Sequence, residues 1–227
     1  MRTIKPAIGE FYHICNRGMH KRQIFYDNND YIRFLFQITH FQSPKNFTNA
    51  TAMAQSFRRN FLSNQPRGLI DERTSSEIHN ARTIKLVAFA LMPNHFHLLV
   101  QELSDGGIPF FMQRTQNGFT KYSNIKQETS GHLLQGPYRI IHIRDNDQLL
   151  YVSSYFHRNC RELNSWKNRE RKYPWSSLQD YVTENRFGKL LATEIVLEQF
   201  NGRKEYEEFV ASSSAKTGDE TIKEIEF

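Results

Sequence analysis

Two histidines that flank a single apolar residue, His95 and His97, have the spacing of a metal-binding pair. In an extended strand, side chains two residues apart point to the same face of the sheet, so both imidazoles would project together. Neutral imidazoles are common ligands of divalent cations, and two on one face gain little from each other without an ion between them. The alternative is a pair of ordinary polar residues on a half-buried strand. We favour a metal site.

A tyrosine and an asparagine four residues apart, Tyr155 and Asn159, could complete this site from a helix. An apolar stripe at steps of three and four marks the helix face that packs on the sheet, formed by Leu149, Val152, Phe156, Cys160 and Leu163. Tyr155 and Asn159 each precede a stripe position, so they stack one turn apart at the edge of that face. There, an amide oxygen could coordinate a metal beside the phenol. The alternative for Tyr155 is a packing residue whose hydroxyl meets water.

The elements that would position these residues follow the order β-α-β-β-α-β, with a further helix after the last strand. We predict strands at 10–16, 84–92, 96–101 and 138–143, and helices at 29–41, 108–127 and 146–163. Pro93 and Asn94 form the hairpin turn before the histidines, and Asp145 or Asp147 caps the last helix. This is the order of a ferredoxin-like α+β fold with an antiparallel sheet, extended by a C-terminal catalytic helix.

The length of 227 residues fits one domain with additions. We predict a core domain over 1–182, with an insertion at about 43–80 holding one short helix, and a helical extension over 183–227 with a partly disordered tail. The cysteines, Cys15 and Cys160, lie far apart, which argues against a disulfide framework and for a reducing compartment. With no apolar leader and no apolar stretch of membrane-spanning length, the sequence predicts a cytoplasmic protein without a membrane role.

A basic stretch late in the chain could bind a polyanion, in line with the net charge of +6. Its cations are interleaved with three aromatic rings, Trp166, Tyr173 and Trp175. The cations are Arg158, Arg161, Lys167, Arg169, Arg171 and Lys172. Cations that hold phosphate beside rings that stack on bases are typical of a single-stranded nucleic-acid surface, and a solvated helix end is the equal alternative. His157 lies on the same flank, where we expect phosphate contact.

Together these motifs resemble the single-tyrosine HUH transposases, in which HUH stands for His, hydrophobic residue, His, and particularly the REP-associated tyrosine transposases. Four segments look like family segments in family order: YHICNRG (12–18), LMPNH (91–95), GHLLQG (131–136) and YPWSS (173–177). The likeness spans most of 10–181. Two features depart from the family: Asn159 precedes Cys160 where the family often has proline, and the insertion at 43–80 is long.

The resemblance implies a transposase that cleaves and rejoins single-stranded, hairpin-forming DNA through a covalent 5′-phosphotyrosine. Tyr155 would be the nucleophile of this endonuclease step. His95, His97 and Asn159 would hold a divalent cation, Mg²⁺ or Mn²⁺, of which Mn²⁺ matches imidazole better. Tyr151 and Tyr122 rank below Tyr155 as nucleophiles. A homodimer stays open, because the superfamily includes single-chain and paired assemblies.

Other functions compete with this interpretation. A transposase-derived protein could bind hairpin DNA without cleaving it. A replication or mobilisation initiator nuclease shares the same chemistry, but this sequence has no helicase-like region or P-loop. A metallohydrolase that uses water would not need Tyr155. His132 and His142 have no partner at ligand spacing and are interpreted as structural or surface residues.

Overall fold

A four-stranded antiparallel sheet forms the centre of the computed structural model, which describes residues 4–63 and 68–213. The strands are β1 (Phe11–Arg17), β2 (Ile84–Met92), β3 (His95–Glu102) and β4 (Arg139–Ile143), in the order β2-β3-β1-β4. All neighbouring strands pair antiparallel. This topology confirms the predicted ferredoxin-like α+β fold.

Helices cover both faces of the sheet. In chain order they are α1 (Asn28–His40), α2 (Ala50–Leu62), α3 (Glu72–Ala81), α4 (Gly107–Lys126), α5 (Asn146–Arg158), α6 (Leu178–Val182), α7 (Glu194–Leu197) and α8 (Arg203–Ser212). The predicted elements are all present with ends within one residue, except that α5 stops five residues early. A short 3-10 helix, Asn159–Glu162, follows it directly. Among the described residues, none of the helices has the length and apolar character to cross a bilayer.

The sheet separates two hydrophobic cores. On one face, Ile14 and Phe96 pack with α1 and α4, and on the other, Leu99 packs with Val152 and Phe156 of α5. The alternation of β3 therefore directs Phe96 away from the face that carries His95 and His97, as predicted. A bulge in β2 between Leu86 and Ala88 turns Val87 and Ala88 together toward α5.

The predicted insertion contains two helices rather than one. Helix α2 buries Phe57 against the core of α1 and α4. Asp71 caps the N-terminus of α3, because its side chain accepts a hydrogen bond from the Thr74 backbone N–H at 2.9 Å. Residues 64–67 of the insertion and 214–227 of the predicted tail lie outside the described residues. The segment after 182 packs on α5 through Tyr206 and Val210, and the boundary at 182 stays a prediction.

Candidate functional site

Three of the predicted site residues, His95, His97 and Tyr155, line one cleft of about 300 Å³. The two imidazole rings lie with their centroids 5.0 Å apart and nearly perpendicular. The Tyr155 ring meets His97 edge-on, at 5.6 Å between centroids. The β2–β3 hairpin and α5 thus meet at this cleft. Tyr155 is only 4% exposed, so it is more buried than its predicted position at the edge of the packed helix face suggests.

Backbone pairing fixes the histidines at the end of the sheet. In the β1–β3 register Cys15 lies opposite His97, and Arg17 opposite His95. The turn that precedes them is held by two hydrogen bonds: the Gly18 N–H donates to the Asn94 carbonyl at 2.8 Å, and the Ile24 N–H donates to the Pro93 carbonyl at 2.8 Å. The imidazoles therefore start from a rigid backbone.

Each cleft histidine has its Nδ1 in contact with a neighbouring side chain. Nδ1 of His95 lies 2.7 Å from Oδ1 of Asn94, and Nδ1 of His97 lies 2.9 Å from Nε2 of His13. A histidine that binds a metal through one ring nitrogen is commonly oriented by a partner on the other. This arrangement fits coordination through Nε2 of both rings.

His13 is a residue that the sequence interpretation missed. It lies on β1, on the sheet face of His97, and is fully buried with its ring 5.0 Å from that of Phe156. Burial, together with nearby Arg139, lowers the pKa of His13 to about 3, so the imidazole is neutral. The sequence could have indicated His13 as a site residue, because alternation along this strand places residues 13, 15 and 17 on one face.

His13, Cys15 and His97 also form a buried group that could hold a metal ion, with ligand atoms within 4.8 Å of one another. This second set shares His97 with the predicted set. Burial raises the pKa of the Cys15 thiol to about 12, which favours a protonated sulfur in the absence of an ion. Thiolate sulfur suits Zn²⁺, whereas nitrogen and amide oxygen suit Mn²⁺.

Asn159 is fully buried at the start of the 3-10 helix that follows α5. Both amide atoms, Nδ2 and Oδ1, lack a hydrogen-bond partner among the described residues. Each buried polar group left unpaired costs about 1–3 kcal/mol. Coordination of a cation by Oδ1 would offset part of that cost, so the amide fits a ligand role. Asn159 is not one of the residues that line the cleft, and its role stays a prediction.

Three charged residues complete the cleft wall: Arg17, Lys21 and Glu162. Lys21 has a left-handed backbone with φ of 60°, which is uncommon outside glycine and marks a constrained turn after β1. Two cations beside the histidines make the cleft suitable for an anionic group. Strand alternation could have revealed Arg17, whereas nothing in the sequence pattern indicates Lys21 or Glu162.

The predicted basic stretch is partly compensated by acidic side chains. Arg161 pairs with Glu170, and Arg171 with Glu207 at 3.2 Å. Lys167, Arg169 and Lys172 are exposed. Arg158 differs from them, because its Nε and Nη1 atoms are buried without a hydrogen-bond partner in the described chain, and burial lowers its pKa.

For two of the three rings in the predicted nucleic-acid surface, Tyr173 and Trp175, the prediction is wrong, whereas Trp166 is half-buried with Arg169 over its ring at 5.4 Å. Tyr173 and Trp175 are 1% and 7% exposed, so neither ring can stack on a base. The Tyr173 hydroxyl donates to the Leu91 carbonyl at 2.6 Å, and Trp175 stacks on Tyr31 at 4.5 Å. Residues 173–177 instead cover the edge of β2, a role that aromatic composition alone cannot reveal.

The other candidate residues have different surroundings. The Tyr122 hydroxyl donates to Asp30 on the opposite side of the sheet, and burial raises its pKa to about 12. Tyr151 is half-buried on α5. The expected phosphate contact of His157 is wrong, because this residue is fully buried, with Tyr206 at 2.7 Å. His142 pairs with Glu10 at the surface, and His132 lines a separate cavity.

No family model matches the chain, and no curated protein matches it. Several solved structures, in contrast, are similar to it. A REP-associated tyrosine transposase bound to a REP hairpin is 13% identical, with a TM-score of 0.48 over 86% of this chain and 92% of that chain. A candidate transposase of Deinococcus radiodurans R1 is 13% identical, with a TM-score of 0.32 over 66% of this chain and 91% of that chain. The first of these carries the name of the family that the sequence motifs resemble.

Proposed function

We propose that this protein is a metal-dependent tyrosine transposase that cleaves and rejoins single-stranded DNA, with Tyr155 as the nucleophile. The observation that carries the proposal is the contact between the Tyr155 and His97 rings, 5.6 Å apart, in a cleft that His95 also lines. A phenol beside two imidazoles and two cations combines a nucleophile with groups suited to an anionic phosphate ester.

The ligand set that we propose for the metal is His95, His97 and Asn159. A divalent cation held there, Mg²⁺ or Mn²⁺, would polarise the scissile phosphate and offset the charge that develops on it. His13 would act as a positioning residue that holds the ring of His97. Arg17 and Lys21 would attract the DNA backbone to the cleft through their charge.

The covalent step exchanges one phosphate ester for another. The Tyr155 phenol oxygen attacks the phosphorus, the bond from phosphorus to the 3′-oxygen breaks, and a 5′-phosphotyrosine and a free 3′-hydroxyl result. The phenol loses one proton, for which Glu162 is our candidate acceptor, and the departing oxygen gains one. A free tyrosine has a pKa of about 10 and is a weak nucleophile at neutral pH, so the cleft must assist this proton transfer. Attack by a 3′-hydroxyl reverses the step and rejoins DNA.

The test is formation of a denaturant-resistant adduct between the protein and labelled hairpin DNA with single-stranded flanks, in the presence of Mn²⁺. We expect an adduct with the parent chain and with Tyr151→Phe, a matched change one helical turn away, and none with Tyr155→Phe. His95→Ala should abolish the adduct while leaving the thermal melting transition in place.

Each other outcome contradicts the proposal in a defined way. An adduct that survives Tyr155→Phe would assign the nucleophile to another residue. Cleaved DNA without an adduct would indicate hydrolysis by water. Hairpin binding by the parent without cleavage or adduct would favour the alternative function, a transposase-derived protein that recognises DNA hairpins.

A further inference from the structure

A thiol and two imidazoles meet behind the tyrosine cleft, on the same face of the sheet. They belong to His13, Cys15 and His97, whose ligand atoms lie within 4.8 Å of one another and which are all buried. Alternation along β1 places residues 13 and 15 on one face, and the β1–β3 register sets Cys15 directly opposite His97. The backbone of the sheet therefore assembles three metal-binding side chains at one point.

The spacing of this group is close to that of a zinc site. Nitrogen binds Zn²⁺ at about 2.0–2.1 Å and sulfur at about 2.3 Å, so the ligands of one tetrahedral ion lie roughly 3.3–3.7 Å apart. The nitrogens that face each other here, Nε2 of His13 and Nδ1 of His97, are 2.9 Å apart. Side-chain shifts of about 1 Å would therefore bring the three ligand atoms to zinc distances.

The donor set determines which kind of ion the group favours. Thiolate and imidazole ligands suit Zn²⁺, whereas Mg²⁺ and Mn²⁺ are better matched by oxygen ligands. The ring of Phe156 lies against both imidazoles, with its centroid 5.0 Å from that of His13 and 5.4 Å from that of His97. This apolar wall supplies no oxygen ligand, so the group favours zinc over the ions that we propose for the cleft.

His97 can serve only one of the two metal sites at a time. The proposed cleft ion would use its Nε2, whereas its Nδ1 faces His13. A neutral imidazole carries a proton on one ring nitrogen and a lone pair on the other. An ion bound at Nδ1 therefore places the proton on Nε2, and this nitrogen can no longer bind a cation in the cleft.

We propose that His13, Cys15 and His97 bind Zn²⁺ through Nε2, Sγ and Nδ1, and that this ion excludes the cation of the cleft. On binding, the Cys15 thiol releases its proton to solvent, and the Nδ1 proton of His97 moves to Nε2. Three protein ligands leave one tetrahedral position for an exchangeable ligand such as water. The zinc site is independent of the proposed function, whereas its inhibitory effect rests on that function.

Cobalt spectroscopy of the full-length chain tests the ligand set without DNA. Co²⁺ takes the place of Zn²⁺ in such sites, and its bond to a thiolate adds a charge-transfer absorption band in the near ultraviolet. We expect this band in the parent and its loss when Zn²⁺ is added. Cys15→Ala should lack the band, and His95→Ala, which alters only the cleft set, should keep it. The matched control is Cys160→Ala, which removes the other buried cysteine and should keep the band.

Thermal melting provides a second measurement that also reports whether each variant is folded. Because an ion that binds only the folded chain stabilises it, Zn²⁺ should raise the melting temperature of the parent and of Cys160→Ala. The melting temperature of Cys15→Ala should stay the same with and without Zn²⁺.

Inhibition is measured as the Zn²⁺ concentration that halves Mn²⁺-dependent adduct formation, with each variant compared with its own zinc-free level. Above the half-saturating Mn²⁺ concentration, tenfold more Mn²⁺ should raise this value about tenfold, because the two ions compete for His97. Cys15→Ala should raise it at least about tenfold, since even the loss of a partner that orients a ligand costs 10- to 100-fold in metal affinity. Cys160→Ala should change it less than about twofold, because it removes no ligand.

The outcomes separate the zinc site from the proposed function. Absence of the thiolate band in the parent, or a band that Cys15→Ala keeps, would overturn the zinc site. Inhibition by Zn²⁺ that is equal in the parent and Cys15→Ala would assign the inhibiting ion to the cleft and overturn the exclusion. A parent that forms no adduct with Mn²⁺ would contradict the proposed function alone, because the cobalt spectra and the melting shifts decide the zinc site without DNA.

Discussion

Replacement of His13 by phenylalanine probes the proposed metal centre through a residue outside the ligand set. The change removes the contact between Nε2 of His13 and Nδ1 of His97 at 2.9 Å, and it keeps a ring beside Phe156. Loss of a partner that orients a metal-binding histidine typically costs 10- to 100-fold in metal affinity, or about 1.4 to 2.7 kcal/mol. We expect the half-saturating Mn²⁺ concentration to rise by that factor.

The assay titrates Mn²⁺ in the adduct reaction and, separately, measures Mn²⁺ binding by calorimetry. At saturating Mn²⁺ the His13→Phe variant should form nearly as much adduct as the parent, because Tyr155, His95 and Asn159 are unchanged. A merely structural role for His13 would lower the adduct at every Mn²⁺ concentration. His13→Gln, which restores a hydrogen-bonding group, should recover part of the affinity.

Two controls accompany this titration. His142→Gln alters a surface histidine of β4 that pairs with Glu10, the residue before β1, and should leave the Mn²⁺ requirement unchanged. Cys15→Ala separates the two donor sets, because it removes a ligand from the group of His13, Cys15 and His97 only. A Mn²⁺ requirement of His13→Phe within twofold of the parent would refute the reasoning, and a large effect of Cys15→Ala would favour the thiol-containing set.

Two further predictions concern stability. Tyr206→Phe removes a buried hydroxyl that lies 2.7 Å from Nδ1 of His157 and 3.1 Å from Oγ of Ser153. In urea unfolding, we expect the free energy of unfolding to fall by about 1–3 kcal/mol, whereas the control Tyr26→Phe, at an exposed position, should lower it by less than about 0.5 kcal/mol. Burial lowers the pKa of His40 to about 4 and that of His157 to about 3. The unfolded chain therefore takes up protons first as the pH falls below 6.5, and between pH 7 and 5 the free energy of unfolding should fall by about 2 kcal/mol per histidine. A free energy of unfolding that stays flat over this range would contradict the assignment of neutral buried histidines.

The sequence alone correctly predicts those strands and helices whose pattern of apolar residues is compatible with only one secondary structure. Strands β2 and β3 form a hairpin around Pro93 and Asn94, because two apolar runs separated by a two-residue turn have few other arrangements. The prediction for α5 was too long at its C-terminal end. Its apolar stripe continues through Cys160 and Leu163, but these residues pack in the core of the other sheet face, and the backbone tightens into a 3-10 helix on the way.

Local patterns could not reveal properties that depend on distant partners. Tyr173 and Trp175 stand beside exposed cations in the sequence, yet β2 and Tyr31 bury them. The insertion has few apolar residues, and its helices bury mainly Phe57 and Ile78, which is too little periodicity to predict both. His13 and His97 are 84 residues apart, and only the strand register brings them together.

Strand β1 contributes to both faces of the sheet through the alternation of its side chains. His13, Cys15 and Arg17 face the tyrosine side, whereas Tyr12 and Ile14 belong to the core of Phe96 on the opposite face. Because a close-packed layer of buried side chains lies between the two faces, a substitution on the α1 and α4 side can alter the cleft only by shifting the packing of the sheet and not by contact with Tyr155.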